Sequence, residues 1–355
     1  MTTLSGEDHE PAEPPRKRAT MRDVAALARV GTKTVSRVVN KEPGVSAALA
    51  DRVSAAARAL NFRPDLTAGN LRRSDRRSSS IGLLLASVSN PFCAEIHRAV
   101  EDVAHERGVA VFSASIDEDP QRERSLVAAF SSRRVDGLIL TPSATDQGYL
   151  RDEREAGTPV VLIDRPPVGI EIDSVTVDNV AGASDATAHL IAHGHRRIAY
   201  LGDLTRIATA RARHEGYLRA LGAAGIATGT VGPVDNLHSE DAAEAAVWAL
   251  LSGPDRPTAL FTSQNLVTIG AIRALRTLGL QHTVALIGFD DFELADLLEP
   301  GVTVIAQDPA RIGRLAAERL FGRLGGDTSP AAEIVVPTRL IERGSGEIAP
   351  PPVGA

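Results

Sequence analysis

Cysteine occurs once in 355 residues, at Cys93, so no intrachain disulfide can staple the fold. A single thiol suits a reducing compartment, and a cytoplasmic location is expected. Aromatic side chains make up only 3% of the chain, which leaves Ala, Val, Leu and Ile to build the core. No apolar run approaches the roughly 20 residues that cross a bilayer, so no membrane partner is expected. Met1–Pro15 is acidic and proline-rich, without the basic-then-apolar order of a secretory signal. Hydrophobic residues at 43% and charged residues at 24% still point to packed globular structure. The length suits two or three domains.

Excess positive charge is confined to one stretch. Arg16 to Ser78 carries 15 Lys/Arg against 5 Asp/Glu, whereas the remaining chain is acidic enough to leave a net charge of −6. A basic block on an acidic body points to a polyanion held by one module. Within that block Val24, Leu27 and Ala28 recur at helical spacing, with Thr20 or Asp23 placed to cap the start. Gly31 is free to take a bend, and a second helix is predicted over Lys33 to Asn40 with Val35 buried. A third is predicted from Ala47 to Leu60, with Ser46 as its N-cap. Two short helices about a tight turn, braced by a third, make a helix-turn-helix unit whose second helix enters the major groove. Lys33 and Arg37 carry donors for guanine, and Thr32 can touch a base edge or a thymine methyl. Thr34, Ser36 and Asn40 suit phosphate oxygens.

The runs Thr20-Met-Arg-Asp-Val-Ala, Val30-Gly-Thr-Lys-Thr-Val-Ser-Arg-Val-Val-Asn40 and Val45-Ser46 through Leu60-Asn-Phe-Arg-Pro64 resemble the headpiece of the LacI/GalR family of transcriptional repressors. The resemblance implies that Thr32, Lys33 and Arg37 read bases. It also implies a hinge helix after Pro64 that pairs with its dimer mate and wedges Leu71 into the minor groove, with Thr67 and Ala68 facing the mate.

After Ser80 strands and helices alternate, from Ile81-Gly-Leu-Leu-Leu-Ala onward, and the pattern restarts near Ala181. Two runs of βα units mean two lobes with parallel sheets, and ligands in such folds sit beyond the carboxyl ends of the strands. The family resemblance extends over the body through Asn90-Pro-Phe92, Val177-Asp-Asn179, His193-Gly-His-Arg-Arg-Ile-Ala199, Gly288-Phe-Asp-Asp291 and Ala306-Gln307. The fold class it implies is an all-α helix-turn-helix headpiece followed by an α/β two-lobed body like that of periplasmic binding proteins. By the same resemblance Arg213, Asp290 and Asp164 grip an effector in the interlobe cleft; Phe92 suits either an apolar wall of that cleft or the core. Relatives commonly carry Asn-Asp where this chain has Gln264-Asn265, and an aromatic where it has Cys93. Gln264 therefore joins the effector residues with a longer reach.

The expected division is a disordered tail over 1–18, a helix-turn-helix domain over 19–63, a hinge helix and linker over 64–79, an effector-binding and dimerisation domain over 80–343, and a flexible tail over 344–355. Lobe 1 is expected over about 80–177 and 307–326, and lobe 2 over about 178–306 and 327–343. Taken together, the resemblance implies a repressor that is a homodimer on a roughly palindromic double-stranded operator. Its DNA affinity is controlled by a small, carbohydrate-like molecule. A solute-binding protein of a transport system is the alternative. No cofactor, metal or catalytic activity is expected: His193 and His195 flank a helix-ending Gly194, without a third ligand nearby in sequence.

Overall fold

The structure, a computed structural model, describes residues 19–39, 42–63, 78–228, 231–253 and 255–352. The expected tail over 1–18, Asn40, Leu71, and the hinge residues up to 77 lie outside the described residues. The chain divides into two compact units, Met1–Ser78 and Ser79–Ala355.

Among the described residues the first unit holds three helices, α1 (Met21–Ala28), α2 (Thr32–Val39) and α3 (Ala47–Ala59). A reciprocal capping box starts α1: the Thr20 hydroxyl accepts from the Asp23 N–H, and the Asp23 carboxylate accepts from the Thr20 N–H at 2.7 Å. Arg29, rather than Gly31, takes the left-handed conformation that ends α1, with φ 53°. Gly31 instead accepts from the Thr34 and Val35 N–H groups with its carbonyl, starting α2. Ser46 occupies the N-cap position of α3 but makes no side-chain cap bond. Val24, Ala25, Ala28, Val35, Val53 and Ala56 close the small core between the three helices.

The second unit contains two sheets. The first comprises β1 (Ser80–Leu85), β2 (Ala110–Ser115), β3 (Leu138–Leu140), β4 (Val160–Ile163), β5 (Asp173–Val177) and a strand from late in the chain, β10 (Glu333–Val336). The second comprises β6 (Ile198–Leu201), β7 (Ala259–Thr262), β8 (Ala285–Phe289), β9 (Thr303–Ala306) and β11 (Arg339–Ile341). The orders are β10-β5-β4-β3-β1-β2, all parallel, and β11-β9-β8-β7-β6, with only β11 antiparallel. Every residue of β1 is buried, as a parallel strand covered on both faces requires.

Helices α4 (Pro91–Glu106) and α11 (Pro309–Leu324) supply apolar groups to one core of lobe 1, and α5 (Pro120–Ser132) to another. A short α6 (Arg151–Glu155) follows β3. In lobe 2, α7 (Asn179–Ala192) and α8 (Ala208–Ala223) share one core, and α9 (Glu240–Ser252) and α10 (Asn265–Leu278) share the other. Gly216 lets α8 lie against α7, since a Cβ there would strike the Val180 carbonyl.

Two expectations need correction. The expected lobe 2 segment over 327–343 is split: β10 pairs with β5 in lobe 1, and within this segment the chain passes to lobe 2 between β10 and β11. The cause is the buried carboxylate of Asp173, which accepts from Arg319 at 2.9 Å, from Arg323 at 2.7 Å and from the Ala332 N–H at 2.9 Å, fastening the segment before β10 to lobe 1. Nor is the chain from Gly344 to Ile348 a free tail. The buried Ser345 hydroxyl donates to the Leu286 carbonyl at 2.6 Å and accepts from the Thr303 N–H at 2.9 Å. His195 bonds the Ile348 carbonyl at 2.7 Å, which gives its ring a structural task.

Asp173 should dominate the acid sensitivity of lobe 1. Burial opposes its charge, but the bonds from Arg323, Ala332 and Arg319 prevail and hold its carboxyl below the usual range. Its stabilising contribution is present above about pH 4 and is lost as pH falls through its lowered value. Asp173→Asn should cost about 3 kcal/mol at neutral pH by urea unfolding, with the gap to wild type closing in acid.

Candidate functional site

Helix α2 presents Thr32 and Lys33, both exposed, in its first turn, while Thr34, Ser36 and Arg37 are half-buried. Lys33 and Arg37 lie four residues apart, hence on one helix face. Arg37 is not free: its Nη2 donates to the Pro43 carbonyl at 2.6 Å, and Nε lies 3.6 Å from the Glu42 carboxylate. Sequence reasoning assigned it to base reading and missed this tie to its own loop.

In the second unit the carboxyl ends of strands from both lobes border a cleft of about 390 Å³. Phe92, Asp164, Arg213, Gln264 and Asp290, the five residues expected there from sequence, all line it. Arg213, on α8, is buried; its Nε donates to Asn179 Oδ1 at 2.8 Å and its Nη1 to the Ser263 carbonyl at 2.6 Å. Its guanidinium stacks 3.8 Å from the Phe289 ring centroid and lies 3.8 Å from the Asp290 carboxylate. Asp164 and Asp290 follow the ends of β4 and β8 in left-handed conformations, with φ 68° and 73°. Asp117 and Glu118, also lining the cleft, have φ 52° and 54°. Four acidic residues in sparsely populated backbone around one cavity fit strain stored at a functional site. Gln264 caps α10, its Oε1 accepting from the Leu266 N–H at 3.0 Å.

Several cleft residues escaped sequence reasoning. Arg165 forms a fork with the Glu118 carboxylate, at 2.7 and 2.6 Å, and its Nε lies 3.5 Å from Asp164. Gln307 donates to Asp290 at 2.5 Å, while its Oε1 is buried without a partner among the described residues. Asp203 and His238 join at 2.6 Å. The adjacent Asp164-Arg165 pair at a strand end was the available signal for Arg165. Nothing in the sequence links Asp203 with His238, which are far apart along the chain.

The lobes touch through two amides. Asn90, capping α4, and Asn265, opening α10, exchange side-chain bonds at 3.2 and 3.0 Å. An amide is both donor and acceptor, so this reciprocal clasp needs amides on both sides. Arg206 adds a 3.4 Å bond to the Glu118 carbonyl across the same seam.

Burial raises the Asp164 carboxyl above its ordinary value; Arg165 and Arg213 oppose the rise, and Asp290 and Glu118 reinforce it. Burial likewise pushes the Cys93 thiol up to about 11, which keeps it protonated at the cleft wall.

Residues 20–65 match the profile of bacterial regulatory proteins of the lacI family, and residues 187–346 that of a periplasmic binding protein-like domain. The ribose operon repressor of Escherichia coli K12 is 35% identical over 330 residues, covering 92% of this chain and 99% of that protein. The crystal structure of the Lac repressor dimer bound to operator and the anti-inducer ONPF shares 26% identity at a TM-score of 0.82, covering 93% of this chain and 99% of that one. A LacI family transcriptional regulator from Enterococcus faecium, solved with bound ribose, shares 25% identity at a TM-score of 0.69, covering 77% and 99% respectively.

A carboxyl raised on folding contributes stability that is present below its unfolded value and lost as pH rises through the folded one. Asp164→Asn should therefore raise the neutral-pH melting temperature by about 2–4 °C and flatten its pH dependence, measured by calorimetry from acid to neutral pH.

Proposed function

The chain belongs to the LacI family of bacterial regulatory proteins, and we propose that it is a sequence-specific DNA-binding transcriptional repressor whose hold on its operator is set by a small molecule between the lobes. The observation that carries this reading is the fusion, in one chain, of a basic helix-turn-helix unit with a two-lobed body whose cleft buries Arg213 and Asp290 and is lined by Asp164. A solute-binding protein would leave the basic headpiece without a task.

On this reading Thr32, Lys33 and Arg37 read base edges, Thr34, Ser36 and Asn40 hold phosphates, and Leu71 enters the minor groove from a hinge within 64–79. Arg37 exchanges its bonds to Pro43 and Glu42 for a base; its ion pair is exposed enough to cost little to break. The partner is a second copy of the chain on a roughly palindromic operator. Exposed apolar groups at Phe112 on edge strand β2, and at Leu294 and Leu297, are available to that copy. Operator binding implies a cytoplasmic protein.

Phe92, Asp164, Arg213, Gln264 and Asp290 hold the effector, together with Arg165 and Gln307. Buried Arg165 Nε and Gln307 Oε1 lack hydrogen-bond partners among the described residues, so they offer one donor and one acceptor to a hydroxylated ligand. Ribose is the first ligand to test, given the relatives that carry its name or bind it. The relatives that are DNA-binding repressors support a binding role for the cleft, and burial leaves the Cys93 thiol protonated there.

Selection from a random duplex pool should enrich one roughly palindromic sequence. Lys33→Ala and Arg37→Ala should each lose about 1–3 kcal/mol of binding to it in gel-shift titrations. Failure to enrich any duplex would contradict the proposal.

A further inference from the structure

Between β6 and α9, two connections of lobe 2 bring a histidine and a carboxylate together at the cleft. Asp203 is fixed from several sides: its N–H donates to Ser263 Oγ at 2.9 Å, its Oδ1 accepts from the Leu204 N–H at 2.7 Å, and its carbonyl accepts from the Asn236 N–H at 3.1 Å. His238 Nδ1 bonds the same Oδ1 at 2.6 Å. With a side chain 45% exposed against 13% for Asp203, the imidazole is the open member of the pair. Both residues line the cleft, and Nε2 has no protein partner among the described residues.

We propose that His238, positioned by Asp203, is a specificity-determining residue of the cleft that gives Nε2 to a ligand oxygen. The proposal rests on the effector reading above. Because Asp203 accepts from Nδ1–H, Nε2 carries a proton only when the ring is charged, and offers a lone pair otherwise. The other groups around the cavity favour the first state. Asp164, Asp290 and Gln307 Oε1 already supply acceptors, whereas donors come from Arg165 and Arg213. A charged His238 adds the scarcer function, and its bond to a ligand oxygen is charge-assisted.

The groups that face the ring raise its value above that of a free imidazole. The bond to Asp203 raises its value, burial opposes, Asp203 and Glu118 attract the proton, and Arg206 repels it. Glu118 faces His238 from lobe 1 while its carbonyl accepts from Arg206 of lobe 2, so the ring sits at the seam between lobes. Ligand affinity is therefore highest with the imidazole charged and falls as pH rises through its raised value.

The test is calorimetric titration of the full-length protein with D-ribose, D-xylose, D-glucose, D-galactose and adenosine, between about pH 5.5 and 8.5. Wild type should bind one of these probes about tenfold more weakly at the alkaline end. His238→Gln, which keeps a donor and an acceptor but cannot titrate, should bind with a flat profile. Asp203→Asn should shift the midpoint of the profile to lower pH, a change that a purely structural role would not produce. A His238→Gln profile as steep as that of wild type overturns the proposal and leaves the effector reading standing. Binding of none of the five probes by folded wild type, as judged by circular dichroism, overturns the effector reading and this proposal with it.

Discussion

The buried guanidinium of Arg213 organises the cleft. A charge of this kind is tolerated away from water only when its hydrogen bonds are met and an opposite charge is near. Meeting them here draws in three separate pieces of lobe 2: Asn179 at the start of α7, the Ser263 carbonyl after β7, and the end of β8 through the Phe289 ring and the adjoining Asp290. Asp290 is in turn bonded by Gln307, on the strand-to-helix crossing that returns the chain to lobe 1. A molecule that engages Arg213, Asp290 and Gln307 therefore touches lobe 2 and the crossing together. That shared contact is the physical basis for a ligand to favour one lobe arrangement over another.

The cleft combines strong polar pairing with unrelieved strain. Burial disfavours the Asp164 charge, and Asp290 and Glu118 repel it across the cleft. Donor hydroxyls from a ligand would stabilise these carboxylates at the moment of closure. The Asn90–Asn265 clasp holds the lobes together by two neutral hydrogen bonds, each worth on the order of 1 kcal/mol. A contact of that size can be outweighed by a ligand or by its loss, which is what a reversible device needs.

Much of this was legible in the sequence, because it is written in local rules. The Thr20–Asp23 capping box, the buried run of β1 and the restart of the βα pattern near Ala181 each follow from spacing and residue type. The five expected effector residues converge on one cleft because each follows a strand end or lies on a helix beside one. What escaped depends on long-range pairing. The return of β10 to lobe 1 hinges on Asp173 meeting Arg319 and Arg323, far along the chain. Glycine and proline near the C-terminus suggested a tail, yet the Ser345 hydroxyl satisfies two backbone groups and binds the segment to lobe 2. Arg29 took the left-handed turn that Gly31 had seemed suited to, since its N–H closes onto the end of α1.

A regulator of this design works only if occupancy of the cleft changes the energy of the DNA-bound state. Tight binding of a ligand to both states equally would change nothing. The most direct measurement is the affinity of the full-length protein for its selected operator, by fluorescence anisotropy, with and without a saturating cleft ligand. A change of about 5- to 150-fold is predicted, the range typical of allosteric coupling. Identical operator affinity with the cleft full and empty would contradict the account.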